Sequence, residues 1–217
     1  AISDFELDTH GPHRFAPRNH LYGRDTELAT LADAYTRVTQ GATVIVTVAG
    51  PPGVGKSSLV HDLRRIVTRR DGRFLSGTFG RSIGAHPYSA LREAGAALVR
   101  QLLTRPDHEL DAFGRRVVDA LGEDASALVE AIPGIEQLTG PLPSPSDRSP
   151  TSPPNRLHTA LAGFVDLLAT PATPLVVALD DAQWAQPAML DLITAATEHH
   201  TTGGLLMVAC YRTGTTG

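Results

Sequence analysis

Apolar residues follow two rhythms along this chain. Thr43–Ala49, Arg73–Phe79, Pro174–Asp181 and Leu205–Tyr211 are strand-length runs rich in aliphatic or aromatic residues, and each reads as a largely buried strand. Between them, apolar positions recur every three or four residues. Leu28, Leu31, Tyr35 and Val38 make one such stripe; Leu59, Val60, Leu63, Ile66 and Val67 make a second. A third joins Leu157, Leu161, Phe164, Val165 and Leu168, and Pro187–His200 reads as another helix. Strands alternating with helices predict an α/β fold with a parallel sheet covered on both faces.

Residues 88–138 interrupt that alternation, because their pattern is helical throughout. Leu91, Gly95, Leu98 and Leu102 form one face, and Leu110, Phe113, Val117 and Leu121 another. A shorter helix is expected over 127–132, so a helical insertion separates the second strand from the third. Residues 140–154 are rich in proline and serine and read as a flexible surface loop. Residues 1–20 carry histidines, prolines and charges without periodicity, as a linker or arm does. The expected organisation is this arm followed by one domain over 21–217.

Composition narrows the class. A chain of 217 residues buries one substantial core. Its formal net charge of −4 gives no basic field for nucleic acid. Cys210 is the single cysteine, so no internal disulfide forms, which suits a reducing, cytoplasmic setting. No apolar run reaches membrane-spanning length, and no secretory leader is expected. It begins at Ala1 and stops at Gly217, directly after a strand, and so reads as a piece of a longer protein whose domain is incomplete at its C-terminal end.

The sharpest chemical signal is Gly50-Pro-Pro-Gly53-Val54-Gly55-Lys56-Ser57, a complete G-x-x-x-x-G-K-[ST] phosphate loop. It follows a predicted strand and opens a predicted helix, as phosphate binding requires. The first N–H groups of a helix have no intrahelical partner, and the helix dipole adds positive charge beside them. Lys56 supplies a point charge for the β and γ phosphates, and the Ser57 hydroxyl is a Mg²⁺ ligand. Ser58 follows, as a phosphate contact or as part of the helix.

A phosphate loop needs a metal-holding acid, and Leu179-Asp180-Asp181 ends the third strand with two carboxylates. At the carboxyl edge of a parallel sheet, Asp180 comes beside the loop and belongs to the Mg²⁺ shell. Asp181 then orients or deprotonates the attacking water. The alternative is that both acids simply cap the next helix. Arg212 ends the fourth strand, where its guanidinium either reports on the γ-phosphate or snorkels to solvent.

Together these motifs resemble a known family. Leu21-Tyr-Gly-Arg-Asp-x-Glu27, the phosphate loop, Leu179-Asp-Asp-Ala-Gln-Trp-Ala185 and Ala209-Cys-Tyr-Arg212 are similar to the signal-transduction ATPases with numerous domains, a branch of the AAA-like P-loop NTPases. More narrowly, the chain resembles the ATPase module of bacterial hybrid serine/threonine–histidine sensor kinases, and less closely the large LuxR-type regulators. The resemblance implies a three-layer α/β/α ASCE fold with strand order 5-1-4-3-2, of which this chain holds four strands. It implies that Gly53 to Ser58 surround the phosphates of ATP or ADP, that Asp180 holds Mg²⁺ and that Asp181 is the catalytic acid. It also implies that Arg212 senses the γ-phosphate and that Gly23 and Arg24 lie close to the base or sugar. Its implied partners are neighbouring kinase and sensor domains of the same polypeptide, with nucleotide-dependent self-association. Trp184 is expected to pack against the helix that follows it.

Three functions fit. The leading one is a Mg²⁺-dependent ATPase with slow turnover that acts as a regulatory switch. The second is a nucleotide-sensing or scaffolding module, of a kinase or a LuxR-type regulator, that does not hydrolyse. The third, a small-molecule kinase, needs an acceptor pocket and an arginine-bearing lid, and the sequence offers no signal for either. His61, His86, His158, His199 and His200 lack the spacing of a metal site.

Overall fold

A computed structural model describes residues 24–81, 86–142, 153–198 and 200–214. Its centre is a four-stranded sheet, β1 (Thr43–Gly50), β2 (Arg73–Thr78), β3 (Leu175–Asp180) and β4 (Leu205–Arg212), in the order β1-β4-β3-β2. Every pairing is parallel, and the order matches the expected 1-4-3-2 portion. Parallel pairing forces each connection to cross back over the sheet, which is why helices cover both faces.

One layer consists of α1 (Asp25–Thr39) and α2 (Lys56–Arg69). Leu31, Tyr35 and Val38 of α1 and Leu59, Leu63 and Val67 of α2 are buried against Val44, Phe74, Val176, Ala178, Leu206, Val208 and Cys210. Alternate strand residues turn to the other face, where Leu75, Leu175, Leu179, Leu205 and Met207 meet the second helical layer. That layer holds α3 (Ser89–Leu102), α4 (Asp107–Leu121), α5 (Leu128–Ala131), α6 (Glu136–Thr139), α7 (Pro153–Leu168) and α8 (Pro187–Glu198). The helical insertion expected over 88–138 is therefore α3 to α6, and α7 follows it before β3. The short helix expected over 127–132 is a 3₁₀ turn over Gly122–Ala127 running into the single turn of α5.

Gly77 lets α3 lie close on β2. A Cβ there would stand within 1.8 Å of the Ala90 carbonyl oxygen, so no larger residue fits without backbone movement. The expected loop at 140–154 falls largely on residues outside those described, as do the arm at 1–20, Gly23 and His199. Among the described residues, no helix is long and apolar enough to cross a membrane.

Candidate functional site

The carboxyl ends of β1, β3 and β4 bring together the phosphate loop, the paired acids and Arg212. Gly50 ends β1, in register with Arg212 of β4. Gly53 and Gly55 then take φ of +78° and +94°, left-handed values that let the loop reverse tightly before α2. Gly55 gives α2 no side-chain cap, and the first turn holds no acidic residue, unlike α1 and α4. The N-terminal N–H groups of α2 are thus left for an anion. Lys56 Nζ donates to the carbonyls of Gly50, at 2.8 Å, and Pro51, at 3.0 Å, so its ammonium lies over the loop's own backbone. Ser58 is exposed in the first turn of α2.

Asp180 lies on β3, with β4 between it and β1, yet the first turn of α2 contacts it directly. Ser57 Oγ donates to Asp180 Oδ2 at 2.9 Å, across 123 residues of sequence. The other carboxylate oxygen accepts the Asp181 N–H at 2.8 Å, which fixes the plane of the group. One hydroxyl and one carboxylate are hard oxygen donors, and they suit Mg²⁺, which takes few protein ligands and completes its shell with phosphate oxygens and water. Among the described residues no cluster of three or more His, Cys, Asp or Glu offers another metal site.

Asp181 takes a left-handed conformation, φ +56°, immediately after β3. Aspartate tolerates that region better than bulkier residues. The turn carries its carboxylate to the end of β4, where Arg212 donates from Nε to Oδ1 at 2.8 Å and from Nη2 to Oδ2 at 3.1 Å. Gln183 completes the arrangement: its Nε2 donates to Asp181 Oδ1 at 3.0 Å, and its Oε1 accepts the Arg212 backbone N–H at 3.0 Å. Burial alone would raise the pKa of Asp181. The hydrogen bonds from Gln183 and Arg212, with the charges of Arg212 and Arg81, outweigh it and hold the carboxyl below its ordinary value.

A cavity of about 240 Å³ opens beside the loop, between α1 and β1. Leu31, Val46, Val48 and Leu59 give it apolar walls, and Arg24 and Glu27 stand at its polar side. Arg24 donates to the Val54 carbonyl at 3.1 Å and to Glu27 Oε1 at 2.6 Å, which ties the start of α1 to the phosphate loop. Gly50, Gly53, Val54, Gly55, Lys56, Ser57, Arg24, Asp180, Asp181 and Arg212 therefore gather in one region.

Two contributors escape a reading of the sequence. Gln183 lies inside the 179–185 motif, but its bridging role depends on β4 arriving alongside. Arg81 carries no motif signal; it reaches the site because β2 ends there. Trp184, expected to pack against the helix that follows, is 42% exposed, with the Arg81 guanidinium carbon 5.6 Å from its ring centroid. An aromatic face stacked under a cation satisfies the ring without burying it.

A strand, a glycine-rich turn and a helix on an all-parallel sheet, with an acid from a neighbouring strand against the loop serine, define a P-loop NTPase. A family model described as AAA ATPase domain matches residues 20–208, and the chain belongs to that family. Among curated proteins, Hybrid signal transduction histidine kinase G of Dictyostelium discoideum is 34% identical over 197 residues. That match covers 88% of this chain but spans only 6% of the length of that relative. Among solved structures, C. elegans PCH-2 aligns with a TM-score of 0.44 and 13% identity, over 92% of this chain and 41% of that one.

Proposed function

We propose that the chain binds Mg·ATP at this site and hydrolyses it slowly, acting as a regulatory switch within a larger signalling protein. The 2.9 Å bond between Ser57 and Asp180 carries this reading, because it joins the phosphate cradle to the metal-holding acid. Gly53 to Ser58 surround the phosphates, and Lys56 neutralises the β and γ oxygens. Arg24 faces the sugar or base, with Gly23 next to it in sequence. Ser57 and Asp180 would hold Mg²⁺, which supplies charge neutralisation to the triphosphate when bound. Asp181 positions the attacking water and takes its proton, and Arg212 reads the γ-phosphate.

The name of the Dictyostelium relative supports a signalling context. In that context kinase and sensor domains of the same polypeptide are the partners that nucleotide exchange reorients, with self-association as a further nucleotide-dependent contact. The lone buried cysteine suits a cytoplasmic setting.

A second reading, a nucleotide sensor without turnover, has its own observation: both oxygens of Asp181 are engaged by Arg212. Asp181 takes a proton only if that pair parts. Single-turnover hydrolysis of Mg·ATP by the wild-type chain and Asp181→Asn, alongside ATP affinity, separates the two. The switch reading expects a drop in rate of about 10²–10⁴ with affinity retained. Equal rates in both proteins support the sensor instead.

A further inference from the structure

At the opposite edge of the sheet, three arginines share one pocket. Arg73 opens β2 at its N-terminal end, Arg105 precedes α4, and Arg116 lies on α4. They line a cavity of about 220 Å³ whose walls include Leu102, Leu110 and Phe113. The only carboxylate in the lining is Glu109, which pairs with Arg105 at 3.3 Å.

Part of this arrangement is structural. Arg73 Nη1 donates to the Leu168 carbonyl at 2.6 Å, and Arg116 Nη2 to the Leu167 carbonyl at 3.4 Å, so both cap the end of α7. Capping does not account for all of the charge. Three guanidinium groups against one carboxylate leave two positive charges, whereas a helix end offers only about half a negative charge. Each guanidinium has five N–H donors, and Arg73 and Arg116 each make one hydrogen bond here. Burial lowers the pKa of Arg73, and the like charges of Arg105 and Arg116 lower it further.

We propose that Arg73, Arg105 and Arg116 form a second anion site, remote from the nucleotide, for the phosphoryl group of a phosphate monoester or for free phosphate. A phosphoryl group carries about −1.5 to −2 at neutral pH and three acceptor oxygens, which matches the uncompensated charge and the unused donors. The apolar walls leave room for a short carbon stem beside the phosphoryl group. Arg105 and Arg116 are exposed, so their substitution tests the site without disturbing the core.

The experiment measures thermal unfolding in sodium phosphate against sodium chloride of equal ionic strength. It uses a Lys56→Ala background, which disables the phosphate loop, and adds Arg105→Gln and Arg116→Gln to it. Phosphate raises stability generally by exclusion from protein surfaces, so the readout is the difference between proteins rather than the shift itself. The expected result is a larger phosphate shift in Lys56→Ala than in either double variant, with saturation at a definite concentration. Amide NMR of the Lys56→Ala protein should place the perturbation at residues 102–110 and 167–168. A phosphate shift that is the same in all three proteins, or perturbations confined to residues 50–58, overturns the proposal. Titration with O-phosphoserine beside inorganic phosphate distinguishes the sources: tighter binding of the monoester supports a carbon-borne phosphoryl group, and tighter binding of the free ion supports phosphate itself.

Discussion

Arg212 grips Asp181 with two hydrogen bonds, 2.8 Å from Nε and 3.1 Å from Nη2, at the carboxyl ends of the neighbouring strands β3 and β4. Fork-to-carboxylate geometry of this kind is directional as well as charged. It couples the residue proposed to activate water to the one proposed to read the γ-phosphate. A γ-phosphate drawing Arg212 away would free Asp181 in the same movement. Gln183, bonded to both residues, fixes where each returns.

The pair makes a prediction about acid. Asp181 titrates below its ordinary value when folded, so the interaction is complete above the unfolded value of about 3.9 and is lost as pH falls through the lower folded one. Trp184 is the only tryptophan and lies three residues on, so its fluorescence should report the loss. Arg212→Gln removes one cause of the depression. Its acid transition should therefore lie at higher pH than that of the wild type, and coincident transitions would separate Asp181 from Arg212 energetically.

Cys210 sits inside β4, 1% exposed, and burial, with the nearby charge of Asp180, pushes its thiol pKa up to about 12. The thiolate is the reactive form, so the native protein at pH 8 should react with an aromatic disulfide reagent far more slowly than a free thiol. Unfolding in denaturant should restore an ordinary rate. Rapid labelling of the native chain would mean that β4 opens readily.

Gly77→Ala should destabilise the fold, because the added methyl meets the Ala90 carbonyl and β2 or α3 must shift. Overpacking of this kind costs about 1–3 kcal/mol. At roughly 2–4 °C per kcal/mol for a domain of this size, calorimetry should show a melting temperature lower by several degrees.

How much of this the sequence carries depends on the range of the interaction. The phosphate loop and the order of its flanking elements are local, so Gly50–Ser57 announced a strand, a turn and a helix without knowledge of anything distant. Parallel pairing followed from the alternation of strands and helices. The pairing of Asp181 with Arg212 was different: each residue was visible at a strand end, but their contact depends on β3 and β4 being neighbours with matched register. The Arg81–Trp184 contact is likewise invisible in the sequence, because it depends on the end of β2 lying near the turn after β3. The arginine pocket left no trace in the sequence, since Arg73, Arg105 and Arg116 meet only through the packing of β2, α4 and α7.

The central claim is that the loop at 50–57 and the acid at 180 hold the same Mg·triphosphate. Thermal unfolding with and without Mg·ATP tests it most directly, in the wild type, Lys56→Ala and Asp180→Asn. At about a hundred times the dissociation constant, the nucleotide should stabilise the wild type by roughly 2.7 kcal/mol. Lys56→Ala should lose that gain, and in Asp180→Asn ATP should act alike with Mg²⁺ or with a chelator. An undiminished, Mg²⁺-dependent gain in both variants would contradict the account.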